Sequence, residues 1–165
     1  MNTKTMFRVL IIFSIVIINI GCDQVTKKII RENVSQNEII SVLSNHLTVT
    51  NVENSGAFLS LGDSLPQTVK NILLSLLPAL VISWGLIYTL TKQTISLAML
   101  LGLCFIIGGG IGNIFDRIAY GSVTDFLHIS LGGFQTGIFN MADVSIMTGT
   151  FIIVLCSFLK RKQPS

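Results

Sequence analysis

Four long apolar stretches, Met6–Cys22, Asn71–Thr91, Thr94–Phe115 and Ala142–Leu159, decide what this chain can fold into. Each approaches the roughly 20 residues that a helix needs to cross a bilayer. Half of the 165 residues are hydrophobic and only 12% are charged, and the mean hydropathy is +0.74, a balance foreign to an ordinary soluble domain of this length. The expectation is a membrane α-helical protein, a single integral-membrane domain over residues 1–165. Its spans lie at about 6–22, 71–91, 94–115 and 142–159, with loops at about 23–70 and 116–141 on one side of the membrane.

Composition also excludes. The net charge of +3 is scattered, with no basic stripe interleaved with aromatics, so no nucleic-acid partner is expected. Cys22, Cys104 and Cys156 are far apart and lie within or beside apolar spans, which gives neither a disulfide framework nor a zinc spacing. His46 and His128 are isolated and read as loop or interface residues. No metal site and no cofactor are expected. Lys4 and Arg8 precede a short apolar run ending in Ile20-Gly21-Cys22, the form of a lipoprotein precursor's leader. Asn19 stands where such a leader usually has an apolar residue and three more spans follow, so the segment reads as a retained helix.

Four spans put both termini on one side. Lys160-Arg161-Lys162, Lys4, Arg8 and Lys92 mark that side as cytoplasmic by the positive-inside rule. Lys27, Lys28, Arg31, Lys70 and Arg117 fall opposite, and the dense C-terminal cluster decides the orientation. Counting spans then brings Asp23, Asn54, Asn113, Asp116, Arg117, Asp125, Asn140 and Asp143 together at the outer boundary. In the outer loop Leu47–Val52 alternates like a half-exposed strand after a turn signal at Asn45, and Val123–Ile129 is a second extended run. A small sheet on the outer end of the bundle fits both. Gly108 and Gly112 have the spacing of close helix packing, and Pro78 is expected to kink the second span.

Asp125 and Asp143 stand at the edges of apolar segments, where an ionisable residue is costly to keep and reads as functional. Two neighbouring carboxylates do not both ionise easily, and the proton they share equips one as general base and the other as general acid. Arg117 offers a rigid fork of donors for substrate carbonyls, with Asn54, Asn113 and Asn140 as neutral partners that can fix an extended peptide. Asp116 reads as structural, pairing with a base or capping a turn. Asp23 and Lys27, four apart, can form an ion pair on one helix face and read as positioning elements.

Five motifs in order, Asp23-Gln24-Val25-Thr26-Lys27, Asn54-Ser55-Gly56-Ala57-Phe58, Gly112-Asn113-Ile114-Phe115-Asp116-Arg117, Val123-Thr124-Asp125-Phe126 and Phe139-Asn140-Met141-Ala142-Asp143, give the chain a resemblance to the prolipoprotein signal peptidases, also called signal peptidase II. The resemblance implies a bacterial inner-membrane aspartyl protease with Asp125 and Asp143 as its catalytic dyad. It implies cleavage just before the diacylglyceryl-modified cysteine of a prolipoprotein, at the membrane lipid surface, with Asn54, Gly56, Asn113, Arg117, Asn140 and Ala142 around the substrate. Four transmembrane helices, an extracytoplasmic β-cradle with a short mobile helix or loop, and inhibition by globomycin-type cyclic peptides are implied as well. One departure is that Ala57 runs directly into Phe58, where many relatives have a second Ala. The rival reading from another class is a small proton-coupled transporter using the same carboxylates. The lack of an internal repeat and of polar groups at mid-span argues against it.

Overall fold

The computed structural model describes residues 3–43, 46–56 and 64–161. Asn45 and the Ala57-Phe58 departure lie outside the described residues, as does most of the segment between Gly56 and the second span. Helix α1 (Thr3–Asn33) is followed by strands β1 (Ile39–Val42) and β2 (Leu47–Asn54). Next come α2 (Gln67–Lys70), a π-helical stretch Asn71–Leu76, α3 (Leu77–Thr91) and α4 (Leu97–Tyr120). Strands β3 (Val123–Leu131) and β4 (Phe134–Gln135) precede α5 (Met141–Arg161). Four helical segments, Thr3–Asn33, Gln67–Thr91, Leu97–Tyr120 and Met141–Leu159, are long and apolar enough to cross a membrane.

Large side chains such as Phe7, Ile18, Trp84, Met147 and Phe151 are exposed on the outside of the bundle. In water such a surface would aggregate, whereas lipid solvates it. The interior is narrow: Ile12, Val16, Leu100, Cys104 and Ile107 form the packed centre. Helix α4 is its hub, because small residues let neighbours close in. A β-carbon on Gly108 would stand 2.6 Å from the Cβ of Asn19, and one on Gly112 would stand 2.5 Å from Asp23 Oδ2. The expected close packing is therefore that of α4 on α1.

Helix α1 does not stop at Cys22. It runs on to Asn33, so the expected loop at 23–70 begins eleven residues late. The reason is a stripe at helical spacing, Ile12, Val16, Asn19, Asp23, Lys27 and Ile30, all buried, whose polar members find partners inside the protein. At Pro78 the chain answers with a wider turn, in which the Leu77 N–H reaches back five residues to the Ile72 carbonyl before the proline enters the first turn of α3. Helix α4 likewise outlasts its expected end at Phe115. It stops at Gly121, whose φ of 79° suits a residue without Cβ and whose N–H closes on the Arg117 carbonyl at 3.1 Å.

The four strands form one antiparallel sheet in the order β1-β2-β3-β4. Asn54 stands opposite Val123 and Val52 opposite Asp125, while Thr48 faces His128. An irregularity between Val49 and Val52 gives β2 one residue more than β3 there. Ile30 of α1 and Val34, just past its end, pack on Phe126, with Val49, Leu127 and Met141 around them, which seats the sheet on one end of the bundle. At the other end the Arg8 guanidinium donates to the Thr89 carbonyl at 3.0 Å and the Lys92 carbonyl at 2.9 Å, and Ser96 Oγ lies 3.7 Å from Cys156 Sγ. The N-terminus, the turn between α3 and α4, and the end of α5 thus share the end remote from the sheet.

Candidate active site

Where the sheet meets the helices, the sequence's polar residues converge. Asp125 is carried by β3, Asp143 by the first turn of α5, Asn54 by the end of β2 and Asn113 by α4. Asn140, fully buried, precedes α5 and joins the two carboxylates. Its side-chain amide donates to Asp125 Oδ1 at 2.7 Å, and its backbone N–H donates to Asp143 Oδ2 at 3.1 Å. The Asp143 N–H returns a bond to Asn140 Oδ1 at 3.0 Å. That reciprocal pair is an N-terminal cap for α5, and it also places an acidic side chain at the positive end of the helix dipole.

The remaining amides surround the same carboxylates. Asn54 Nδ2 donates to Asp125 Oδ2 at 2.9 Å and Asn113 Nδ2 to Asp143 Oδ1 at 3.0 Å. The orientation of each amide is forced from its other side. Asn54 Oδ1 accepts the Gly56 N–H, Asn140 Oδ1 accepts the Asp143 N–H, and Asn113 Oδ1 accepts the Lys27 ammonium at 2.9 Å. None of those donors can accept in return, so in all three residues the NH2 group must face a carboxylate. The sequence suggested that these asparagines hold an extended peptide. In the structure their donors hold the carboxylates.

Beneath this layer lies a buried ionic cluster. Lys27 Nζ stands 2.8 Å from Asp23 Oδ2 and 2.9 Å from Asp116 Oδ2, all three side chains being fully buried, so the expected i,i+4 pair is formed and extended. Arg31 approaches Asp116 at 3.2 Å, without the alignment of a hydrogen bond. Asp23 Oδ1 accepts the Ala142 N–H at 2.9 Å, which ties α1 to the turn of α5 that bears Asp143. Arg117 donates to the Gly56 carbonyl at 2.9 Å, while its Nε is buried without a partner. The expected carbonyl contact of Arg117 is thus made within the chain, and the Nε–H is left over.

Several contributors had no role assigned from the sequence. Gln24 bridges Asp23, Asp116 and the Gly112 carbonyl. Ser145, one turn below the site, donates to Asn19 Oδ1 at 2.7 Å. Thr124, buried beside Asp125, accepts from Arg31 Nε at 2.7 Å and donates to Glu53 at 2.7 Å, and Arg31 also lies over the Tyr120 ring at 4.0 Å. Most of their partners are remote in sequence, so no local spacing announces these bonds. Only the helical stripe through Asn19, Asp23 and Lys27 could have been read beforehand.

Burial first of all, then the neighbouring Asp143 charge, pushes the Asp125 carboxyl up to about 6, against the hydrogen bonds of Asn54 and Asn140 and the charge of Lys27, which pull it down. A carboxyl that titrates near neutrality beside a second carboxylate can exchange protons with a reacting group. Among the described residues no group of three His, Cys, Asp or Glu side chains could hold a metal ion. What the arrangement can do is activate water between two acids.

The chain is similar to known proteins over most of its length. Residues 15–159 match a family model described as signal peptidase (SPase) II. A lipoprotein signal peptidase of Desulforapulum autotrophicum is 34% identical over 157 residues, covering 93% of each chain. One from Streptococcus pneumoniae is 33% identical over 152 residues, covering 92% of this chain and 94% of its own. A bacterial membrane enzyme solved by the in meso method at 2.3 Å superposes with a TM-score of 0.80 at 25% identity, covering 93% of this chain and 92% of that one.

Proposed function

The chain belongs to the signal peptidase II family, and from that premise we propose that it is an aspartyl endopeptidase that removes the signal peptide from diacylglyceryl-modified bacterial prolipoproteins. It is a multi-pass bacterial membrane protein of a protease family, with Asp125 and Asp143 as the proposed dyad. The observation that carries the reading is Asn140, hydrogen-bonded to both carboxylates at once.

The charge balance around the dyad supports a shared proton. Asp23, Asp116, Asp125 and Asp143 face Lys27, Arg31 and Arg117, which leaves one acid without a cation. Asp125, raised to about 6, is the acid we assign that proton. Asp143 then accepts a proton from water as its oxygen attacks the scissile carbonyl just before the lipidated cysteine, and Asp125 donates to the carbonyl oxygen. Collapse of the tetrahedral adduct breaks the C–N bond: one hydroxyl of the adduct returns its proton to Asp125 as the new carboxyl forms, Asp143 gives its proton to the leaving amine, and the starting protonation returns. Asn54, Asn113 and Asn140 hold the carboxylates at fixed orientation. Arg117, through its remaining donor, and Gly56 are assigned to the substrate backbone, and Asp23, Lys27, Asp116 and the Ala142 N–H keep the dyad in place.

A diacylglyceryl group and a signal-peptide helix both reside in lipid, so a site at the bilayer boundary meets substrate and water together. We place it at the outer face, with both termini in the cytoplasm, and expect globomycin-type cyclic peptides to compete with substrate. The test is cleavage of a diacylglyceryl-modified peptide by the purified wild type and Asp143→Asn, with the unlipidated peptide as control. Lipid-dependent cleavage that falls at least about 1,000-fold in a folded Asp143→Asn protein is expected. Retained activity in that variant removes the dyad assignment, and a folded wild type that cleaves nothing removes the peptidase reading.

A further inference from the structure

Asp125 also lines a hollow on the sheet of about 300 Å3, together with Val52, Asn54, His128, Thr136 and Ile138. A second hollow of about 280 Å3 adjoins it, sharing Val52, His128 and Ile138 and ending at Asn37, Thr48 and Thr50. The two make one groove that starts at the proposed catalytic carboxylate and follows β3 to the paired His128 and Thr48. Its volume falls in the range of ordinary ligand sites.

The position of the groove selects its occupant. Strand β3 leaves α4 at Val123 and runs outward from the bundle end, so the groove leads away from the helices among which an apolar signal peptide and acyl chains would lie. Its wall mixes apolar side chains with Asn37, Thr48, Thr50, His128 and Thr136, a lining for polypeptide more than for hydrocarbon. Three residues along a strand span about 10 Å, so His128 stands as far from Asp125 as the third residue of an extended peptide stands from its cleaved bond. The Nδ1 of His128 is buried without a partner. A buried polar atom left unpaired is uncommon in a finished fold and is satisfied when a ligand supplies the bond.

We propose that this groove receives the substrate segment that begins at the modified cysteine, and that His128 recognises a hydrogen-bonding group on the second or third residue of that segment. The inference rests on the peptidase reading of Asp125 and adds a specificity-determining residue to it. No covalent step at His128 is involved.

The test uses the purified full chain and two diacylglyceryl-modified peptides identical through the cysteine, one continuing Ser-Ser and the other Val-Val. The wild type is expected to favour the serine peptide in kcat/KM by about 3- to 10-fold, the worth of one neutral hydrogen bond. His128→Leu is expected to lose that preference and His128→Gln to keep it. Equal kcat/KM for both peptides in the wild type, or an undiminished preference in His128→Leu, overturns the proposal. If His128→Leu cleaves neither peptide, Thr48→Val decides at the far end of the groove: a reduced preference supports the proposal and an unchanged one overturns it. A wild type that cleaves neither peptide overturns the peptidase reading itself.

Discussion

The proton we assign to Asp125 rests on burial, which outweighs the two amides that favour its charge, and the assignment fixes the sign of two pH effects. The Asp125 carboxyl gives up its proton in a step at about 6. As pH rises through that step Asp125 loses the proton it must donate, so kcat/KM is expected to fall above about pH 6. In Asn54→Ala a hydrogen bond that favours the charged form is gone, the Asp125 step rises, and the alkaline limb moves to higher pH. A pH profile of both proteins checks this, and a limb that stays or moves down contradicts the assignment. Asn140→Ala removes the bridge between the carboxylates and is expected to lower kcat about 100-fold with little change in KM, the effect of misplaced reacting groups. The two aspartates themselves stood out in the sequence, as acids at the edges of apolar runs. The task of the asparagines did not, since it is set by Lys27, Gly56 and Asp143 N–H donors that only the fold brings to them.

The outer half of α1 shows how an element can change character while its geometry continues. Its buried stripe passes from Ile12 and Val16 through Asn19 to Asp23 and Lys27 without losing helical spacing. A reading that followed hydrophobicity alone stopped at Cys22; one that followed spacing would have reached Lys27. A buried cluster of charges has a stability that depends on completeness. Removing Lys27 leaves Asp23 and Asp116 buried beside each other, and Lys27→Met is expected to cost about 3–5 kcal/mol, whereas Lys27→Met with Asp23→Asn and Asp116→Asn recovers part of that loss. Thermal unfolding in detergent of the single and triple variants measures it. A single variant as stable as wild type means that the lysine is not the cluster's keystone. Activity follows a different rule, because Asn113 loses the ammonium that fixes its amide in both variants, so the triple variant is expected to regain stability without regaining turnover.

At the scale of the whole molecule, span counting predicted which residues share an end, and the end was legible because four apolar segments admit few arrangements. The strand order was less so. Strand β1 is exposed along its whole length and β4 has only two residues, so neither shows the alternation that marked β2 or the extended run that marked β3, and their places follow from pairing across the chain. The fold has two chemically unlike ends. One carries the sheet and the carboxylates, and the other gathers Arg8, Lys92 and the end of α5. Orientation in the bilayer decides whether the carboxylates meet substrates delivered outside the cytoplasm, and the basic residues of the second end argue that they do. Glu38, exposed just before β1, and Gln93, exposed in the turn between α3 and α4, lie at opposite ends and report that orientation. In intact cells Glu38→Cys is expected to react with a membrane-impermeant maleimide and Gln93→Cys only after the membrane is opened, each measured above the labelling of the wild-type cysteines. The reverse pattern would turn the molecule over, place the dyad in the cytoplasm and separate it from any precursor that matures on the outer face.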